Sequence, residues 1–244
     1  MNTKRFLSLA LTLALVFGLL VAMPLTVNSD WAGAYSSQID SFNVFQKVNT
    51  YIPGQFTDVD EDMWYDEAVA TVYEYGLMAG KGGDEFDPAG NITVAEAITI
   101  AARVHNIYNG GSGEFEQSEP WHQAYVDYAV ANGTISVNDF TNYNRAATRA
   151  EMAYIFARTS VPVLLMYVDA GNPPPNTVNS LPDVDSNTLH YGYIRMLYEA
   201  GILTGSDEYG TFYPDSNIIR AEAAAIISRV ILLSARLSGK TFGD

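Results

Sequence analysis

The sequence predicts a mainly α-helical fold built from three helix–turn–helix repeats, and three observations predict it. A short motif occurs three times, as Ile92-Thr93-Val94-Ala95-Glu96, Ala147-Thr148-Arg149-Ala150-Glu151 and Ile218-Ile219-Arg220-Ala221-Glu222. Each copy opens an apolar, helix-like run: Ala97 to Val104, Met152 to Ala157 and Ala223 to Val230. Each run carries an Arg seven residues after its Glu, at Arg103, Arg158 and Arg229. A fixed offset repeated in this way marks an internal repeat. Two short helices cannot bury their apolar faces alone, so three stacked units are expected to share one core.

The motif itself explains why a helix starts there. The first N–H groups of a helix have no partner within it. A Thr at the N-cap accepts from the N–H three residues on, and the Glu reaches back to the N-cap N–H. Thr93 with Glu96 and Thr148 with Glu151 fit this capping box. Ile219 has no acceptor, so the third helix forgoes about 1 kcal/mol of capping. Glu222 still favours the positive end of its helix dipole.

The N-terminus reads as an export signal over residues 1–29. Lys4 and Arg5 precede an almost wholly apolar run from Phe6 to Met23, and Pro24 to Ser29 form a cleavage region. Val27 and Ser29 suit the −3 and −1 positions, and Ala32-Gly33-Ala34 is a second candidate. An uncleaved anchor is the alternative, because the run is about long enough to span a bilayer. Residues 30–55 form a lead in which Trp31, Tyr35, Phe42, Val44 and Phe45 are spaced for one short helix.

The first repeat covers residues 56–108. Trp64, Ala68 and Val72 recur every four residues and give a helix from about Met63 to Tyr75, with Asp60, Glu61 or Asp62 as its cap. Gly76 sits where a helix takes a left-handed residue after its end. The glycines and Pro88 of the stretch from Leu77 to Pro88 force a turn. The second helix then runs to about Ile107. The second repeat, residues 115–160, follows a Gly/Ser-rich linker. Trp121 precedes Gly133 by the same twelve residues that separate Trp64 from Gly76. Its helices run from about His122 to Ala131 and from Arg149 to about Thr159. Its turn has Val137 in place of Gly80 and Phe140 in place of Phe86. Residues 161–180 form a connection ending in a proline run that is extended or turned. The third repeat, residues 181–232, repeats the first closely. Leu181 to Val184 echo Phe56 to Val59, Gly205 echoes Gly80, and Phe212 to Asp215 echo Phe86 to Pro88. Leu189 takes the Trp position, and a tail follows over residues 233–244.

Composition narrows the function. The chain has 244 residues, no Cys and a formal charge of −15. Disulfides, thiol chemistry and thiolate zinc sites are excluded. Nucleic acid and acidic membrane surfaces are poor partners for such a charge. Loss of residues 1–29 removes Lys4 and Arg5 and no acid, leaving 11 basic against 28 acidic residues. His105, His122 and His190 form no metal-binding pair. No nucleophile elbow or phosphate loop occurs. Asp58 to Asp62 look like the start of a calcium loop, but Met63 and Val69 stand where that loop needs Gly and Glu. The reading is a chain with no catalytic residues, no metal and no cofactor.

These residues closely resemble the S-layer homology family. The family pattern runs from Phe-x-Asp-Val through a Trp, a Gly-containing turn and Phe-x-Pro to Thr-Arg-Ala-Glu, and the resemblance covers about residues 56–232. It implies a three-lobed, pseudo-threefold helical module. It also implies non-covalent attachment of an exported protein to the bacterial cell wall, through secondary cell-wall polysaccharide that is often pyruvylated. The family's ligand-contacting Arg falls on Arg149 and Arg220, its turn glycines on Gly80 and Gly205, and its Trp on Trp64 and Trp121. Val94 replaces the Arg in the first repeat, so one or two working grooves are expected. The physics suits a sugar acid. An Arg in the first helical turn lies beside unpaired backbone N–H groups, and its planar fork holds a carboxylate in two hydrogen bonds. Glycines admit close backbone approach. The bland alternative is that Arg149 and Arg220 are surface charges paired with nearby acids. Arg103, Arg158 and Arg229 read as structural, near helix C-termini.

Two other classes compete with a wall-binding module. One is a structural protein whose degenerate repeats pack against S-layer or envelope proteins. The other is a wall enzyme anchored by the repeats, for which the flanking segments are too short to form a domain.

Overall fold

The computed structural model describes residues 44–159 and 181–237. The stretch expected to be an export signal, the first part of the lead, the proline-containing connection and the end of the tail lie outside these residues. Among the described residues six α-helices follow one another: α1 Asp66–Glu74, α2 Val94–Tyr108, α3 Gln123–Ala131, α4 Arg149–Ala157, α5 Tyr191–Glu199 and α6 Arg220–Ile231. Among the described residues β-structure is confined to isolated bridges, so the fold is mainly α. None of the described helices is long and apolar enough to cross a membrane.

The residues just before α2, α4 and α6 build the centre. Ile92 N–H donates to the Ile218 carbonyl, Ile218 N–H to the Ala147 carbonyl, and Ala147 N–H to the Ile92 carbonyl. Three equivalent bonds close a ring, and Ile92, Ala147 and Ile218 are fully buried within it. The next N–H groups repeat the pattern. Val94 donates to Arg145, Arg149 to Ser216 and Arg220 to Gly90. Ala95 donates to Tyr143, Ala150 to Pro214 and Ala221 to Pro88. Each second helix thus gives its first two N–H groups, which no helix can satisfy internally, to the loop of the next repeat. The cycle of three gives the molecule its pseudo-threefold order.

Capping completes the helix starts. Thr93 Oγ1 accepts from Glu96 N–H and Thr148 Oγ1 from Glu151 N–H, both at 3.2 Å. The Glu96 and Glu151 carboxylates accept in return from the Thr93 and Thr148 N–H groups. At α6 one half of the box remains, with Ile219 N–H on the Glu222 carboxylate at 3.2 Å.

Helices pair across repeats. α1 packs on α6, α3 on α2 and α5 on α4. Each lobe therefore joins the second helix of one repeat to the first helix of the next, and the α1–α6 lobe closes the circle. One apolar cluster, including Val69, Phe86, Ile98, Ile155, Tyr198 and Ile227, draws on all three repeats. Burial of each such side chain contributes about 1.5–3 kcal/mol.

Some local expectations need correction. The first helix begins at Asp66, after Tyr65, and no acidic side chain caps it. The short helix expected around Trp31 to Phe45 lies almost wholly outside the described residues, and residues 44–50 have no regular structure. There Val48 and Asn49 N–H groups instead donate to the Glu74 carbonyl and close the end of α1. α6 stops at Ile231, and Leu233–Ala235 form a 3-10 turn. Gly76, Gly133 and Gly201 each follow a first helix with φ of 66°, 73° and 71°. That is the left-handed conformation glycine adopts without strain.

Candidate functional site

The cap motif sets its following residue, the first of α4 or α6, against the turn of the next repeat. Arg220 at the start of α6 reaches the first-repeat turn. Its Nε donates to the Phe86 carbonyl at 2.9 Å and its Nη2 to the Ala79 carbonyl at 2.8 Å. The guanidinium lies 4.8 Å above the Phe86 ring, and Nη1 is 3.9 Å from Glu96. Arg149 at the start of α4 reaches the third-repeat turn in the same way. Nε donates to the Phe212 carbonyl at 2.5 Å, Nη2 to the Thr204 carbonyl at 3.4 Å and Nη1 to Glu222 at 2.5 Å. The Phe212 ring lies 4.8 Å beneath it.

Both guanidinium groups are sunk into the seams between repeats, their side chains only 7% and 5% exposed for Arg149 and Arg220. Burial lowers the pKa of each. Glu222 and Asp183 oppose that shift at Arg149, and Glu96, Asp87 and Asp58 oppose it at Arg220. Burial on its own would raise the Glu96 and Glu151 carboxyls. Hydrogen bonds from Lys81 and Thr93, and from Arg145 and Thr148, outweigh it and hold both below the ordinary value.

Gly80 and Gly205 sit next to the carbonyls these arginines use, those of Ala79 and Thr204. A Cβ on Gly80 would stand 2.6 Å from the Glu85 carbonyl oxygen, and one on Gly205 2.3 Å from the Gly210 carbonyl carbon. The glycines let each turn fold on itself beside the guanidinium. A groove of about 330 Å³ lined by Gln55, Phe56, Tyr73, Gly80, Gly82 and Gly83 opens on the first of these turns.

Trp64 and Trp121 are 63% and 50% exposed and stand just before α1 and α3. Their rings meet Tyr65 and His122 edge-on. Among the described residues no hydrogen bond or ring contact joins either indole to Arg149 or Arg220. Trp121 lies one step from a seam, since the His122 ring packs on Tyr143, whose carbonyl accepts from Ala95 next to Glu96.

One sequence-based premise does not hold. The first two N–H groups of α4 and α6 are not free to bind an anion, because Arg149, Ala150, Arg220 and Ala221 all donate to neighbouring carbonyls.

Several residues of the seams escaped sequence reasoning. Asp58 accepts from the Phe86 and Asp87 N–H groups, and Asp183 from those of Phe212 and Tyr213. These carboxylates hold the Phe-x-Pro turn in place, so the Asp58 carboxylate is occupied by backbone donors. The signal was present in the paired recurrence of Asp and Phe. Lys81 sits on Glu96 at 2.6 Å and adds a second cation to the Arg220 seam. Arg103, Arg158 and Arg229 donate to the carbonyls of Gly76, Gly133 and Ile202, each at the end of the first helix of its own repeat.

Residues 55–98 and 180–224 match the S-layer homology domain. Each matched segment runs from the approach to a first helix into the first turns of a second. Over 144 residues, 55% of this chain, the sequence is 34% identical to the Surface-layer 125 kDa protein of Lysinibacillus sphaericus. The matched stretch amounts to 12% of that protein's length.

Proposed function

We propose that this chain is a non-catalytic wall-binding module of the cell surface. It attaches without covalent bonds to anionic secondary cell-wall polysaccharide, with pyruvylated sugars as the preferred ligand. The observation that carries this reading is the placing of cations at every seam of a chain whose net charge is −15. Arg149 lies at one seam, Arg220 with Lys81 at another and Arg145 at the third. The two matches to the S-layer homology domain and the similarity to a surface-layer protein support it. Residues 1–29 serve as the export signal in this reading, and residues 115–160 as a third, divergent repeat. Gly80 and Gly205 shape the turns. Trp64 and Trp121 offer aromatic faces to sugar C–H surfaces near the grooves. Each groove binds modestly, and several along one polymer raise the avidity.

The test uses purified wall sacculi before and after the secondary polysaccharide is stripped. The protein should sediment with the intact sacculi and stay in solution with the stripped ones. Equal binding to both rejects the glycan. Arg220→Lys should weaken binding more than Arg103→Lys, with folding of both checked by circular dichroism.

A second reading is favoured by the exposure of Trp64, Trp121 and Leu189, a large apolar residue at the equivalent position of each repeat. In it, the module packs against an S-layer or envelope protein. Co-purification of such a partner together with failure to bind sacculi would select it.

A further inference from the structure

The seam between the first and second repeats lacks the usual Arg, because the first residue of α2 is Val94, which is fully buried. The rest of that seam is intact. Phe140 occupies the place of Phe86 and Phe212, and Glu151 the place of Glu96 and Glu222. A guanidinium is also there, supplied from a different position. Arg145 lies 6.0 Å above the Phe140 ring. Its Nη1 donates to Glu151 Oε2 at 2.8 Å and its Nη2 to Glu151 Oε1 at 2.5 Å. The Arg145 carbonyl meanwhile accepts from the Val94 N–H at 3.0 Å, which fixes the new donor opposite the residue it replaces.

The three guanidinium groups differ in which N–H groups remain. A guanidinium offers two forks, one from its two Nη atoms and one from Nε with Nη2. Arg149 and Arg220 each commit Nε and Nη2 to backbone carbonyls of the turn. Arg145 commits its Nη1–Nη2 fork to Glu151, with a further bond from Nη1 to the Ala146 carbonyl at 3.0 Å. Among the described residues its Nε–H and second Nη2–H have no acceptor, so a whole fork is open. Its side chain is 39% exposed. A groove of about 350 Å³, whose lining includes Val126, Asp127, Val130, Val137, Phe140 and Tyr143, shares Phe140 and Tyr143 with this seam, and Asp127 is its one acidic residue.

We infer that Arg145 makes the seam between the first and second repeats a carboxylate-binding groove, with its Nε–Nη2 fork taking the acid group of a sugar. The inference rests on the wall-glycan reading and deepens it. Glu151 balances the charge of Arg145 and holds its plane, so recognition depends on the geometry of the fork more than on net attraction. The sugar body lies along Tyr143 and the exposed Val137, while Phe140 stays buried beneath Arg145.

The test follows amide chemical shifts of the 15N-labelled full chain as a pyruvylated disaccharide is added. Amides of residues 137–143 should shift in the wild type. In Arg145→Ala that site should weaken at least tenfold, while shifts near Gly80 and Gly205 persist. Arg145→Lys keeps the charge and loses the fork, and should behave like Arg145→Ala. Unchanged amide spectra away from the seam show that both variants fold. Shifts at Gly80 or Gly205 without shifts at 137–143 overturn the inference and leave the wall-glycan reading standing. Shifts at 137–143 that survive Arg145→Ala overturn it as well. No shift anywhere overturns both.

Discussion

Arg149 and Glu222 form an ion pair of 2.5 Å that ties the second repeat to the third, though 73 residues separate them. Glu222 uses one oxygen for this pair and the other for the Ile219 N–H. One carboxylate thus closes the start of α6 and the seam together. Removing one partner of a fully buried pair costs about 3–5 kcal/mol, and Glu222, which is 24% exposed and keeps the Ile219 N–H, brings the cost here below that range. Arg149→Ala should lower the unfolding free energy extrapolated from urea titrations, though by less than that range. Arg149→Met with Glu222→Gln should recover much of the loss, since neither side is then left with a bare charge. Equal destabilisation by the single and double variants would show that the carbonyl contacts, not the pair, hold the seam.

Two glycine substitutions should separate steric from conformational cost. Gly205→Ala places a Cβ against the backbone of Gly210, which cannot give way as a side chain would. Overpacking of this kind costs about 1–3 kcal/mol. Gly133 has open space around it but a φ of 73°, so Gly133→Ala meets only the left-handed penalty of about 1–2 kcal/mol. Thermal unfolding of both variants reads the difference. Gly205→Ala should also disturb the Thr204 carbonyl and through it Arg149, which Gly133→Ala should not.

The repeat, the helices and the capping boxes were legible because they are local. Thr93 and Glu96 are three residues apart, and their bonds follow from helix geometry alone. The exchange of helices between repeats was not legible. α1 presents a similar apolar stripe to any partner, and nothing in its own residues favours α6 over α2. The seam arginines were found by motif, but their depth was not. Arg149 reads identically in sequence whether its fork faces solvent or the Phe212 carbonyl. Arg145 was missed because it stands three residues before Thr148, outside the motif that drew attention to Val94.

The caps make a local and cheaper prediction. Thr93→Ala and Thr148→Ala each remove an acceptor for the N–H of the following Glu, at about 1 kcal/mol apiece. The Glu half of each box survives, so the helices should persist by circular dichroism with lowered melting temperatures. No loss for Thr148→Ala would mean that the bonds from Arg149 and Ala150 to the third-repeat loop already define the start of α4.

Stability should fall in two stages on acidification. His105 and His190 are held below the ordinary histidine value by burial. His105 sits against the Tyr128 hydroxyl at 3.0 Å, and His190 stacks on Tyr154 at 4.4 Å beside Glu151, Asp139 and Arg158. A depressed histidine is neutral in the fold while the unfolded chain takes up a proton near pH 6.5. Its contribution is therefore intact above that pH and declines as the pH drops below it. Glu96 and Glu151 are held below 4.5, so their contribution is present above that value and is lost as the pH falls through their folded values. Urea midpoints should decline gently from pH 7 to pH 5.5 and steeply below pH 4.5. His190→Phe keeps a ring on Tyr154 and removes the titrating group, so it should flatten part of the upper stage. A midpoint constant from pH 7 to pH 5.5 in the wild type would mean that neither imidazole is kept neutral by the fold.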